Sequence, residues 1–320
     1  MTLTVEQGAD LLDRVRKAVA TYVVGQEATV HDALVGYLAR GHVLVEGVPG
    51  TAKTLLVRAL AASLGLRFAR IQFTPDLMPS DVTGVNVLRD PAKGFEFQPG
   101  PIFTDLLLGD EINRAPAKTQ SALLEAMAER QVTMDGVSRP LGDAFTVFAT
   151  QNPIEHEGTY PLPEAQLDRF LIKTVMPYPT REAELELLER YEGGFDAERL
   201  ETARMPAALS PVDAEAVRHL VDGVRVAPDV RIYIADITRS TRDERMLSLG
   251  ASPRATVALF RGARAAAVLE GRDFATPDDV KGIAPAVLRH RITLAPELEV
   301  EGRTTDDVLA GLLARVRVPE

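Results

Sequence analysis

The strongest constraint on the fold is an eight-residue stretch, Gly47-Val48-Pro49-Gly50-Thr51-Ala52-Lys53-Thr54. It lies between a strand-like run, His42–Glu46 (HVLVE), and a helical pattern over Thr51–Leu64. A glycine-rich turn from a strand into a helix aims several backbone N–H groups at one point, at the positive end of the new helix, and so cradles phosphate. Lys53 is placed to reach β- and γ-phosphates and Thr54 to offer a hydroxyl to Mg²⁺, and the expected nucleotide-binding stretch runs on to Leu55. Ala52 stands where the general GxxxxGK[ST] pattern has glycine. A methyl group is tolerated there if the residue is already helical with negative φ. The bland alternative is a glycine turn that merely packs.

Strand-like and helix-like patterns alternate through residue 178, as in a parallel sheet with covering helices. The other strand candidates are Arg67–Gln72, Leu106–Asp110, Phe145–Thr150 and Leu171–Met176; helices are expected over Glu27–Arg40 and Pro116–Arg130. Leu106–Asp110 is a continuous apolar run, as in a strand buried on both faces. Two hairpins, at about 84–98 and 132–141, read as inserts. The second turns at Asp135-Gly136, a strong two-residue hairpin signal because both positions need positive φ. After Pro177 and Pro179 the pattern becomes helical, opening with an amphipathic helix at Arg181–Tyr191. Further helices are expected over Pro211–Arg225, Val230–Arg242, Pro253–Glu270, Pro277–Leu288 and Thr305–Val316. Ser210, Ser252 and Thr276 each precede a proline, the pairing of an N-cap with proline at the first helical position. The expected division is a core at 1–178 and an all-helical domain at 179–320.

Four further segments carry candidate chemistry. Asp110 and Glu111 end the apolar strand, where Asp110 could hold Mg²⁺ through water and Glu111 could polarise an attacking water. Acids are also common wherever a strand simply meets solvent, but behind a phosphate-binding loop both would lie beside Lys53. In Ala149-Thr150-Gln151-Asn152-Pro153, the amide of Asn152 could orient water or touch a γ-phosphate, although Asn and Pro also mark ordinary turns. Arg169, in Leu167-Asp168-Arg169-Phe170, could equally form a surface ion pair with Asp168 or Glu164. In Ser252-Pro253-Arg254, the arginine at a helix start could reach back to bound nucleotide.

Composition removes other chemistries. The chain of 320 residues has no cysteine, which excludes disulfide scaffolds, thiolate zinc sites and Cys–His nucleophiles. Its five histidines (His31, His42, His156, His219 and His290) show no i, i+4 pair, so they are expected at the surface or in packing. A net charge of −10 weighs against duplex nucleic acid as the main partner. The start, MTLTVEQGAD, lacks a basic segment followed by an apolar stretch, and no apolar run approaches the ~20 residues that span a bilayer. A cytoplasmic location is expected.

Taken in order, these segments resemble the Walker A, Walker B, sensor 1, arginine-finger and sensor 2 elements of AAA+ ATPases. GVPGTAKT, LLLGDEINRAPAKTQSALLEAMAERQVT, FATQNPIEHEGTYPLPEAQLDRF and SPRA resemble the MoxR family in particular, from Val24 to about Arg303. That family commonly carries alanine at the position of Ala52. The resemblance implies an α/β P-loop NTPase core with a five-stranded parallel sheet, followed by a helical lid. It also implies ATP and Mg²⁺ as ligands, with Val24 and Gly25, within Tyr22–Gln26, bordering the adenine. Asn152 would be sensor 1 and Arg254 sensor 2, while Arg169 would act on ATP held by a neighbouring subunit of a ring, typically a hexamer. MoxR-like proteins act as ATP-driven chaperones on partner complexes, often with a separate protein bearing a von Willebrand factor A domain. Two other readings stay open: a nucleotide-gated binding module in which hydrolysis merely resets affinity, and a nucleic-acid motor.

Overall fold

The computed structural model describes residues 3–90, 94–152, 159–195 and 205–319. Part of the first hairpin's turn lies outside these residues, as do Pro153 and His156. Five strands form the central sheet: β1 (Val43–Gly47), β2 (Phe68–Gln72), β3 (Leu106–Asp110), β4 (Thr146–Gln151) and β5 (Ile172–Met176). All pairings are parallel, in the order β2-β3-β4-β1-β5. The expected strands therefore form within a residue or two of their predicted ends.

The pleat explains why the central strands lack polar alternation. Val43, Val45, Leu106, Leu108 and Phe148 enter one hydrophobic cluster, whereas Leu44, Leu107, Val147 and Ala149 enter the other. Successive residues point to opposite faces, and both faces are covered, so both sets must be apolar. Helices α1 (Val5–Ala20), α2 (Glu27–Leu38) and α3 (Lys53–Ser63) contribute to the first cluster, and α4 (Ala117–Glu129) to the second. The reading of the sequence missed α1, although Thr4 and Gln7 form a reciprocal capping box ahead of the buried Leu12, Val15 and Val19.

The C-terminal half is helical: α5 (Arg181–Glu192), α6 (Pro211–Gly223), α7 (Pro228–Ser240), α8 (Pro253–Leu269), α9 (Pro277–Leu288) and α10 (Thr305–Arg315). Two short strand pairs, Arg225–Val226 with Phe274–Ala275 and Leu247–Leu249 with Thr293–Leu294, tie its loops together. Leu259, Ala263, Ile283 and Val287 join the same cluster as α1 and α2, so the apolar layer runs unbroken from the sheet into this half. One expectation needs correction. Ser210 and Thr276 cap their helices through their side chains, but the Ser252 hydroxyl donates to Asp168 at 3.3 Å because a carboxylate is within reach. Helix α5 buries only Ala183, while Leu185, Leu188 and Tyr191 remain exposed, so its apolar stripe does not serve this chain's core.

The hairpins Gly84–Asp90/Gly94–Pro99 and Gln131–Met134/Val137–Pro140 form near the predicted positions. Asp135 and Gly136 both have positive φ, +50° and +77°. The hairpins touch: Asn86 donates to Asp135 at 2.5 Å, and the Arg139 guanidinium lies 3.8 Å from the centre of the Phe97 ring. Among the described residues, no helix is long and apolar enough to cross a membrane.

Candidate nucleotide site

Register places the glycine-rich loop and the two acids at one end of the sheet. Gly47 is level with Met176 on β5, Glu46 with Gln151 on β4, and Gln72 on β2 with Asp110 on β3. Carboxyl ends of parallel strands are where open α/β sheets bind ligands. At Gly47 a Cβ would lie 2.7 Å from the Met176 carbonyl oxygen, so the neighbouring strand requires glycine there. Gly50 takes a positive φ of +84°. Ala52 does as well, at +66°, immediately before α3. This corrects the expectation of a negative φ: the alanine occupies the left-handed conformation that a glycine would take at less cost.

Lys53 Nζ donates to the carbonyls of Gly47 (2.6 Å) and Val48 (2.8 Å), and Thr51 Oγ1 donates to Val48 (2.9 Å). Thr54 Oγ1 donates to Asp110 Oδ2 at 3.2 Å, so the two residues expected to serve Mg²⁺ lie within hydrogen-bond distance of each other. A hydroxyl and a carboxylate are hard oxygen donors. Mg²⁺ takes only one or two such protein ligands when phosphates and waters complete its octahedron, so these residues fit that ion. Among the described residues there is no cluster of three or more His, Cys, Asp or Glu side chains that could hold a metal.

The acids have partners that the sequence reading missed. Thr150 Oγ1 donates to Asp110 Oδ1 at 2.5 Å and accepts from the Glu111 N–H at 2.8 Å, fixing both acids to the end of β4. Asp110 Oδ2 also accepts from Arg70 Nη2 (2.7 Å) and Nε (3.1 Å). Glu111 has φ +56°, and its Oε2 accepts from Gln72 Nε2 (2.7 Å) and Arg114 Nη1 (3.1 Å). Arg70 and Gln72 are two apart on β2 and so share a face; that alternation was the available signal. Asn152 is buried just beyond β4, at the same end of the sheet.

The linker expected to border adenine lies nearby. Gly25 has φ +69°, and a Cβ there would come within 2.7 Å of Ala183 Cβ at the start of α5. Gln26 Nε2 donates to the Pro177 carbonyl at 3.1 Å, just past the end of β5. Gly25 and Gln26 are therefore held against the segment that follows β5, with Val24 next to them in the chain.

Arg169 and Arg254 are not brought to this site. Leu171 N–H donates to the carbonyl of His42, before β1 begins, so Arg169 lies at the amino end of the sheet. Strand β5 alone, Ile172–Met176, separates that end from Gly47 by roughly 13 Å at about 3.3 Å per residue. Arg169 is exposed and donates to the Leu124 carbonyl at 3.2 Å rather than to a local acid. Arg254, 77 % exposed, lies 3.9 Å from Asp168, away from the loop and the two acids. Asp168 accepts from the buried Arg291 at 2.7 Å, and Arg291 also donates to Phe170 and Leu171 carbonyls. This clasp binds the helical half to the residues beside Arg169.

Two histidines are structural, as expected. His42 Nδ1 accepts from the Val147 N–H at 3.0 Å, leaving Nε2 to donate to the Met127 carbonyl at 3.2 Å. Burial pushes His42 down to about 3, and burial followed by the charge of Arg291 pushes His290 well below the ordinary value.

Comparison with known proteins agrees with this architecture. The profile of the ATPase family associated with various cellular activities (AAA) matches residues 42–172, and that of the AAA lid domain matches 239–312. The chain is 46% identical over 309 residues to the uncharacterized protein YeaC of Bacillus subtilis, covering 97% of this chain and 95% of that protein. It is 42% identical to Chaperone MoxR1 of Mycobacterium tuberculosis, covering 97% of this chain and 82% of that one. A crystal structure from Cytophaga hutchinsonii, described as an ATPase candidate, superposes with a TM-score of 0.88 at 40% identity, covering 98% of this chain and 96% of the other.

Proposed function

Because the chain belongs to the MoxR family of AAA+ ATPases, we propose that it binds ATP with Mg²⁺ at the carboxyl end of its sheet and hydrolyses it in a ring of identical subunits. In this reading the backbone of residues 47–52 cradles the phosphates, and Lys53 leaves the carbonyls of Gly47 and Val48 to meet the terminal ones. Thr54 and Asp110 hold the metal, which when bound neutralises charge on the phosphate oxygens. Glu111 polarises the attacking water, and Asn152 orients it from the end of β4. Val24 and Gly25 border the adenine. Arg169, and beside it Arg254, act on nucleotide held by the next subunit.

The observation that carries this reading is the division of charge between the two ends of the sheet. The groups that bind and polarise converge at one end, while the two arginines that would stabilise a transferring phosphoryl group sit at the other. A complete site then needs two subunits.

The work done with ATP is remodelling of a protein partner. The relative named a chaperone supports this, as do the paired hairpins, which expose Leu88, Phe95 and Val137. Resemblance points to a separate polypeptide with a von Willebrand factor A domain and to a hexamer acting in the cytoplasm. The decisive variants are Lys53→Ala and Glu111→Gln. The first should weaken ATP binding by about tenfold or more, as expected on losing a charged hydrogen bond. The second should bind ATP normally but turn it over roughly 10²-fold more slowly. Calorimetry together with phosphate release separates the two, and parental turnover by Glu111→Gln would remove Glu111 from the mechanism.

A further inference from the structure

One carboxylate oxygen at this site accepts three hydrogen bonds. Asp110 Oδ2, which Thr54 contacts at 3.2 Å, also takes two guanidinium N–H groups from Arg70. The arrangement follows from the sheet. Strand β2 is an edge strand bonded only to β3, and Gln72 is level with Asp110. Arg70, two positions earlier on the same face, therefore reaches along the strand to that carboxylate. Arg70 Nη2 is also shared with Gln72 Oε1 at 2.9 Å, and Gln72 in turn donates to Glu111. The Arg70 side chain is 43% exposed whereas Asp110 is 9% exposed, so the arginine can swing into water and the carboxylate stays in place.

We propose that Arg70 is a positioning residue that competes with the metal for Asp110. Its guanidinium neutralises the buried carboxylate until a metal–nucleotide complex arrives, and so sets the metal concentration at which the site loads. This rests on the reading of Asp110 and Thr54 as the metal's protein ligands. Arg70 yields readily because a half-exposed ion pair is weak, whereas a divalent ion also bonded to phosphate has several anchors. Its departure from Asp110 also removes a partner from Gln72, the side chain that restrains Glu111.

Mn²⁺ titration of the full-length ADP complex, followed by electron paramagnetic resonance, tests the competition without relying on turnover. Arg70→Met keeps the aliphatic stem and removes the charge, and should raise Mn²⁺ affinity about three- to fivefold. Arg67→Met is the matched control. It makes the same charge change on the same chain segment, but Arg67 pairs with Asp105 at the other end of the sheet. It should leave Mn²⁺ affinity at the parental value. Unchanged or weakened Mn²⁺ binding in Arg70→Met, or an equal rise in Arg67→Met, overturns the inference. Failure of the parental protein to bind Mn²⁺–ADP at all would instead overturn the nucleotide site itself.

Discussion

At the carboxyl end of the sheet, charged side chains are paired across short polar contacts and stay partly open to water. Arg70, Gln72 and Arg114 hold the two acids from the solvent side, and Thr150 holds them from within. At the amino end, Arg291 is buried to 3% exposure and gives its hydrogen bonds to Asp168 and to carbonyls, while Arg169 and Arg254 project outward. The first end can change partners when phosphate and metal arrive. The second cannot rearrange without stranding a buried charge, so it suits a rigid mount for the arginines proposed to serve another subunit.

The largest expected effect tests that division directly. Arg169→Ala should reduce turnover by ~10³-fold or more, the range measured where an arginine stabilises a transferring phosphoryl group, while leaving ATP affinity unchanged. Mixed with Lys53→Ala subunits, it should regain activity, because each variant supplies the end of the sheet that the other lacks. If no mixture exceeds both parents although native mass spectrometry shows mixed rings, the two ends do not meet across subunits.

Stability should distinguish the ends next. Asp168→Ala leaves the buried Arg291 without its carboxylate and should cost about 3 kcal/mol or more, as for a broken buried pair. Arg70→Met, at the open end, should cost at most about 1 kcal/mol. Equal losses in denaturant unfolding would contradict the contrast between a rigid and an adaptable end.

The amino end should also be the acid-sensitive one. His42 and His290 both lie there, and both are held neutral by burial. For His42 the folded value, about 3, lies below the ordinary 6.5, so the unfolded chain binds a proton that the folded chain refuses. Stability is therefore full above pH 6.5 and is lost as pH falls toward 3, by about 1.4 kcal/mol per pH unit for such a group. From pH 7 to pH 5 this amounts to about 2 kcal/mol for His42. Denaturant midpoints measured at both pH values should show it, and His42→Gln should flatten the decline. Coincident midpoints for the parental protein would refute the linkage.

The smallest effect belongs to the loop. Ala52→Gly relieves a left-handed alanine at an exposed position and should stabilise the fold by up to about 1 kcal/mol. A loss of stability would mean that the methyl group has a role which its φ of +66° does not reveal.

The sequence by itself determined what depends on near neighbours along the chain. The glycine loop, the apolar run ending in Asp110 and Glu111, the Asp135-Gly136 turn and the prolines that open helices each act within a few residues, so their physics is legible in order. Tertiary structure alone decided which strands adjoin and at what level. That placed Arg70 and Gln72 of an edge strand over acids some forty residues away, and set the Thr150 hydroxyl between them. It also carried Arg254 to Asp168, at the opposite end of the sheet from the loop it was expected to serve. Such contacts follow from inter-strand register and from the packing of α8 on the first helices, and neither leaves a periodic trace in a single chain. The same holds for Ala52: its residue type favours negative φ, but the closure of the loop between β1 and α3 imposes the opposite sign.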